Sequence, residues 1–342
     1  LKNESGYDGS DINNFDEPLS EINQCLVKLD PAVITGLKHM SMGEREELRK
    51  KLTAANRRDY IPKNAWKALE GVFAHDFVDA MSKEFESISK LGVITVAEVP
   101  ADKVNEVITC KCVFDIKWDD TLNKISKFKC RMVAQGFLQR EWNEATGRGN
   151  YDSKSCSSPV LKSTSLKGML SVGGATPNTG VMMNDIGTAF LCAKLKVDGS
   201  EDIFIALPDC CIVENNGIRL KPEIVGWRNV LNKTTGKRDK KHNRPRTIVK
   251  LVKALYGLRN ASSAFYNTVV KFLTKHESMQ KFEWRVSEED PCLFLSNTGM
   301  GSIMTGIHVD DLISMGSHDV NIKGSDTYIK NGKEKDRLLN AI

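Results

Sequence analysis

The sequence predicts an α+β fold in which antiparallel hairpins mix with helices. Residues 107–118 (VITCKCVFDIKW) alternate apolar and polar side chains as a half-buried strand does, and turn residues and a second strand-like run follow. Residues 302–314 form two apolar arms around Asp310 and Asp311. The remaining patterned segments have helical spacing, without the strict strand–helix alternation of a parallel sheet.

In chain order, residues 1–30 hold seven acids against two bases, and a helical charge pattern then predicts a helix over Met42–Ala55. Pro62 breaks that pattern. Ala65–Leu91 reads as a second helical region, because Ala80, Met81, Phe85, Ile88 and Leu91 fall at helical spacing. Gly92 ends it, and Val93–Val99 reads as a strand. After the alternating run, Asp119, Asp120 and Asn123 supply a turn, and Lys124–Phe137 is the return arm. Val181–Ile186 is a short apolar strand entering a helix-like segment. Residues 214–247, rich in Gly, Asn, Thr, Lys and Arg, read as a loop insertion, and Ala261–His276 is helical.

Composition narrows the function classes. Of 342 residues, 40 % are apolar and 27 % charged, which suits a globular core and excludes collagen, coiled coil and wholesale disorder. No run approaches the ~18–20 apolar residues of a membrane span. The polar, acidic N-terminus is no signal peptide, and an opening Leu reads as a piece of something longer. Nine scattered Cys without a CxxC pair predict reduced thiols rather than a disulfide framework or zinc knuckle. The net charge is +5, but residues 228–253 hold ten Lys/Arg against one acid, a stretch that attracts phosphates or forms a solvated loop.

Three segments carry candidate chemistry. HVDDL, residues 308–312, places two carboxylates at a turn between apolar arms. Their repulsion is relieved by a divalent cation with hard oxygen ligands, although Asp-Asp also suits a plain hairpin turn. Asp185 ends an apolar strand, and Gly187 after it permits close approach by a ligand. Asp185 is equally a strand-end or helix-capping residue. Two-metal phosphoryl chemistry needs carboxylates from separate segments, and Asp185 with Asp310 and Asp311 meets that need if the fold joins them. In KCRMVAQGF, residues 129–137, Lys129 and Arg131 project from one strand face, where they clamp a triphosphate or meet solvent.

Seven blocks in this order resemble the reverse transcriptase domain of copia-type LTR retrotransposon polyproteins. KCRMVAQGF stands for K-A-R-L-V-A-K-G-F, and Ser158-Pro159-Val160 for S-P-V. DIGTAFL (185–191) stands for D-V-K-T-A-F-L, and FIALP (204–208) for I-x-x-P. VKLVKALYGLR (249–259) stands for V-x-L-x-K-A-L-Y-G-L-K, DPCLF (290–294) matches D-P-C-L-F, and HVDDL stands for Y-V-D-D-L. The resemblance runs from about Ala80 to Gly316.

The resemblance implies a palm-and-fingers polymerase and templated DNA synthesis from dNTPs with two Mg²⁺ ions, Mn²⁺ being an alternative. Asp185, Asp310 and Asp311 match the family's metal-binding carboxylates, with Ile186 beside them at the metal and nucleotide. Lys129 and Arg131 fall in the block that contacts the triphosphate. Gly187 lies in the nucleotide-binding block, and Phe190 matches the bulky residue beneath the sugar that excludes a 2′-hydroxyl. Tyr256, Gly257 and Arg259 match the block near the template–dNTP pair. The implied partners are an RNA or DNA template with its primer, dNTPs and other parts of a Pol polyprotein, with no membrane. The implied location is a cytoplasmic particle, followed by a nuclear step.

The expected organisation is a polar, partly disordered connector (1–65), a fingers/palm domain (66–318) with a basic insertion (209–247), and a divergent tail (319–342). Departures from the family pattern are His308 for the usual Tyr, and Asn260-Ala-Ser-Ser-Ala-Phe265 for Q-A-P-R-x-W. The tail does not resemble the continuation into thumb and RNase H, so these are expected to be lacking. The alternative is a decayed or repurposed nucleic-acid-binding protein without polymerase activity, resting on the basic stretch.

Overall fold

The structure, a computed structural model, describes residues 25–317 except 38–39, 102, 144, 147–148, 177–178, 196–201, 222–229, 232–237, 240–245 and 299–300. The tail 319–342 and most of the basic stretch 228–253 therefore lie outside the described residues.

Strand β1 (Cys25–Leu29) lies within the stretch expected to be a connector, and helix α1 (Pro31–Thr35) follows with Asp30 as its cap. Helix α2 (Met42–Lys50) starts on a capping box of Ser41 and Glu44. It ends before the expected Ala55, because the Thr53 and Asn56 side chains bond each other's backbone N–H groups instead of a helical turn. The region 65–91 is two helices, α3 (Ala65–Glu70) and α4 (Ala74–Lys90), separated where Gly71 turns extended. Arg45 and Arg49 of α2 both reach the buried Asp76 of α4.

Of Val93–Val99, only β2 (Ile94–Thr95) is paired. Strands β3 (Ile108–Asp119) and β4 (Lys124–Ala134) form the expected hairpin, with Asn123 at φ +46 in its turn. On β3, Cys110, Cys112, Phe114 and Ile116 point inward, while Lys111, Val113 and Lys117 face solvent. Helix α5 (Ser163–Ala175), absent from the sequence reading, leads to β5 (Thr179–Asp185) and the short α6 (Ala189–Cys192). Then come β6 (Phe204–Ala206), β7 (Cys211–Asn215), β8 (Ile218–Arg219), β9 (Val230–Leu231), β10 (Arg238–Asp239) and β11 (Ile248–Leu251). Helices α7 (Ala261–Lys275) and α8 (Glu277–Gln280) precede β12 (Arg285–Val286), β13 (Leu293–Thr298), β14 (Gly301–His308) and β15 (Asp311–Ser317).

The fold is thus a mixture of helices and sheets. One five-stranded sheet has the order β2-β11-β6-β3-β4, the other β12-β13-β14-β15-β5, and a three-stranded sheet runs β1-β7-β8. Among the described strands every pairing is antiparallel except β3 with β6. One core joins the two larger sheets: Phe77, Met81 and Phe85 of α4, Ile108 and Phe114 of β3, Phe265 and Val269 of α7, and Phe294 and Ile307 of the last sheet. Burying such side chains stabilises by about 1.5–3 kcal/mol each. Among the described residues no helix is long and apolar enough to cross a membrane.

Candidate active site

The β14–β15 hairpin turns on Val309 and Asp310, so Asp310 occupies the turn while Asp311 opens the second strand. The sequence reading placed both carboxylates in the turn. Asp311 is drawn into the ladder because β15 is paired on both sides, with His308 of β14 and Asp185 of β5 opposite it. Directly opposed antiparallel residues have Cα atoms ~4.5–5.5 Å apart. The Ile186 N–H donates to the Asp310 carbonyl at 3.0 Å and extends that join by one residue. The fold therefore brings together the two segments that sequence could not connect.

Val309 has φ +59, a left-handed backbone that a β-branched residue rarely adopts and that costs about 1–3 kcal/mol. The flanking ladders hold it there and fix the orientation of Asp310. Asp310 is half-buried; His308 and Asp311 are exposed. Asp185 is placed by its backbone, its side chain lying outside the described ones.

Lys129 and Arg131 are both half-buried on β4, with Cys130 and Met132 buried on the other face. The Arg131 guanidinium lies over the Tyr256 ring, 4.9 Å from its centroid, and its buried Nε has no hydrogen-bond partner among the described residues. The Tyr256 ring meets Phe190 edge-on at 5.5 Å, and Phe190 meets Phe265 at 5.9 Å. Burial pushes the Tyr256 phenol up; the Arg131 charge opposes this, and Glu84 and Asp310 add to it. Tyr256 thus packs on the cationic strand through Arg131 and also feels the Asp310 charge.

Gly257 acts through its backbone and Arg259 through its side chain. Gly257 has φ +86, and a Cβ there would lie 2.3 Å from the Ala134 carbonyl oxygen. The Ala134 N–H donates to the Tyr256 carbonyl at 2.8 Å, so this glycine lets the chain close onto the end of β4. Arg259 is exposed but held: its Nε donates to the Gly136 carbonyl at 3.1 Å and its guanidinium lies over Tyr151. Gly187 is exposed, with nothing within 4 Å of an added Cβ.

Two carboxylates escaped the sequence reading. Glu84 of α4 accepts the Met132 N–H at 2.9 Å. Burial pushes its carboxyl up, against that hydrogen bond and the charges of Arg131 and Lys129. Its sequence signal was a carboxylate four residues after Ala80 on the apolar stripe of α4. Asp290, in DPCLF, is fully buried and accepts the Lys162 N–H at 2.9 Å and the Cys292 N–H at 3.0 Å. Lys162 is the N-cap of α5 and offers no side-chain cap, so Asp290 caps that helix from across the fold. No local pattern reveals a cap so distant in sequence.

The residue types suit a hard divalent cation: Asp310 in the turn and Asp311 at the start of β15 lie beside the end of β5, where Asp185 stands opposite Asp311 in the ladder. Among the described residues no group of three or more His, Cys, Asp or Glu side chains is spaced to hold a metal ion.

The family described as reverse transcriptase (RNA-dependent DNA polymerase) matches residues 92–229 and 230–336, reaching past Gly316 into the tail. A Retrovirus-related Pol polyprotein from transposon TNT 1-94 of Nicotiana tabacum is 27 % identical over 259 residues, 75 % of this chain and 16 % of that protein. Those from transposons RE1 and RE2 of Arabidopsis thaliana are each 25 % identical, over 62 % and 64 % of this chain and 11 % and 12 % of their own lengths. The chain thus spans about a sixth or less of the relatives it matches.

Proposed function

The chain belongs to the reverse transcriptase (RNA-dependent DNA polymerase) family, and from this premise we propose that it is the polymerase segment of a copia-type Pol polyprotein, joining dNTPs to a primer 3′-hydroxyl on an RNA or DNA template. The observation that carries this reading is the row His308–Asp311–Asp185 across three strands, with Ile186 bonded to Asp310. We assign the β12–β15 and β5 sheet to the palm and the β3–β4 hairpin to the fingers.

Asp185, Asp310 and Asp311 would hold Mg²⁺, or Mn²⁺ in its place, with the Ile186 backbone alongside. The chemistry such ions would supply there is a lowered pKa for the primer hydroxyl and charge neutralisation of the leaving pyrophosphate. Lys129 and Arg131 attract and orient the triphosphate. Tyr256 keeps the Arg131 guanidinium in place, while Phe190, braced by Tyr256 and Phe265, forms the floor beneath the sugar and excludes a 2′-hydroxyl. Glu84 balances the two cations from behind β4. Gly257 and Arg259 fix the end of the fingers hairpin rather than meeting the nucleotide. Base pairing supplies sequence information, and the protein grips the backbone in a salt-dependent way.

Primer extension on poly(rA)/oligo(dT) with dTTP and Mg²⁺ tests this. The parent extends the primer, and an Asp310→Asn, Asp311→Asn double variant does not. A folded parent that binds the duplex yet extends nothing at any salt concentration overturns the polymerase reading in favour of nucleic-acid binding alone.

A further inference from the structure

Two side-chain amides beyond the end of β4, Gln139 and Asn150, are almost wholly buried and tie together segments far apart in the chain. The Gln139 Oε1 accepts the Arg259 N–H at 2.7 Å, and its Nε2 donates to the Asn150 carbonyl at 3.4 Å. The Asn150 side chain accepts the Arg140 N–H at 2.9 Å and donates to the Glu106 carbonyl at 3.3 Å, and its own N–H donates to the Arg140 carbonyl at 2.9 Å. A backbone N–H only donates, so Arg259 determines which end of the Gln139 amide faces it, and the NH₂ group turns to Asn150. Burial makes the arrangement exacting, because a buried amide left without partners is costly.

Arg259 closes a segment that is held at its start as well. The Ala134 N–H donates to the Tyr256 carbonyl at 2.8 Å. Between these two bonds the Gly257 carbonyl lies against Gly136, so closely that a Cβ on Gly136 would collide with it. The same Cβ would lie 3.1 Å from the Gln139 Oε1, which places that oxygen beside the contact. The segment Tyr256–Arg259 is thus clamped at both ends onto the end of the β3–β4 hairpin, and Tyr256 carries the ring on which the Arg131 guanidinium lies, 4.9 Å from its centroid. The Arg259 side chain also reaches the Gly136 carbonyl, at 3.1 Å, but its long exposed stem allows backbone rotation that a bond to the N–H itself forbids.

We propose that Gln139 is a positioning residue of the nucleotide site: by holding the Arg259 N–H it fixes the tilt of the Tyr256 ring and, through that ring, the place of the Arg131 guanidinium that meets the triphosphate. The inference rests on the reading of Arg131 given under the proposed function. Gln139 itself touches no nucleotide, and Asn150 keeps it in the required rotamer by taking its second hydrogen bond. An uncharged amide suits this place because it accepts and donates at once. Methionine at 139 keeps the shape and loses both bonds; glutamate keeps the acceptor toward Arg259.

The test is a double-mutant cycle on dTTP affinity, read by calorimetry with the full chain, Mg²⁺, and poly(rA) primed by dideoxy-terminated oligo(dT), so that binding is measured without turnover. Gln139→Met and Arg131→Met should each weaken dTTP binding about tenfold, with a cooperative melt retained. Combining them should cost less than about twofold beyond Arg131→Met alone, because the group through which Gln139 acts is already gone. Gln139→Glu should stay within about threefold of the parent, and this arm holds even where Gln139→Met does not fold. Multiplied losses in the double variant, unchanged affinity in Gln139→Met, or a tenfold loss in a folded Gln139→Glu overturns the proposal. Unchanged affinity in Arg131→Met, or a parent that binds no dTTP, instead removes the nucleotide site itself and the proposal with it.

Discussion

Replacing Asp290 with Ala removes the carboxylate that joins the segment before β13 to helix α5. In the parent it accepts the Lys162 and Cys292 N–H groups and a hydrogen bond from Ser165. The Cys292 N–H is buried and bears the full cost of a lost acceptor, about 1–3 kcal/mol. The Lys162 N–H is only partly buried and loses less, but α5 also loses a negative charge at its N-terminus, about 0.3–1 kcal/mol. The expected destabilisation is about 2–4 kcal/mol, a fall of roughly 3–7 °C in melting midpoint for a chain of this size. The pH dependence follows from the same contacts. Burial raises the Asp290 carboxyl, but the hydrogen bonds outweigh it and hold the group below its ordinary value. A lowered folded value means the stabilisation is present above about pH 3.9 and is lost as pH falls through the folded value. Urea denaturation of parent and variant should therefore give a constant gap from pH 5 to 8 that narrows below about pH 4. A gap under ~1 kcal/mol at pH 7 would refute the capping argument.

Gly257→Ala puts a Cβ 2.3 Å from the Ala134 carbonyl at φ +86. It should cost about 2–4 kcal/mol and also raise the dTTP KM, because the end of β4 must shift; an unchanged melting midpoint counts against that close approach. Arg131→Met keeps an apolar stem on Tyr256 but removes the donor. Its dTTP KM should rise tenfold or more while stability moves by less than ~1 kcal/mol, and an unchanged KM removes Arg131 from the triphosphate site.

The β3–β4 hairpin was legible because one face alternates cleanly, with Cys110, Cys112, Phe114 and Ile116 inward and turn residues at the right place. Helix α5 was not, because Gly168, Gly173 and Gly174 weaken its helical signal. Packing requires one of these: a Cβ on Gly173 would meet the Met315 side chain. Strand β1 is five residues in a polar stretch, and it is a strand because β7 pairs with it. For the site, residue types marked Asp185, Asp310 and Asp311, but their proximity depends on the register of β5 with β15, a contact across more than 100 residues. The same reasoning explains Glu84 and Asp290, whose roles arise from partners distant in sequence.

The central claim is that Asp185 and the Asp310–Asp311 pair serve one divalent cation site. Mn²⁺ titration followed by electron paramagnetic resonance, with dTTP present, tests this independently of catalysis. The account predicts that Asp185→Asn and Asp310→Asn each weaken Mn²⁺ binding by about tenfold or more, ~1.4 kcal/mol, with the fold retained. Binding by Asp185→Asn as tight as the parent's, beside a loss in Asp310→Asn, would contradict it.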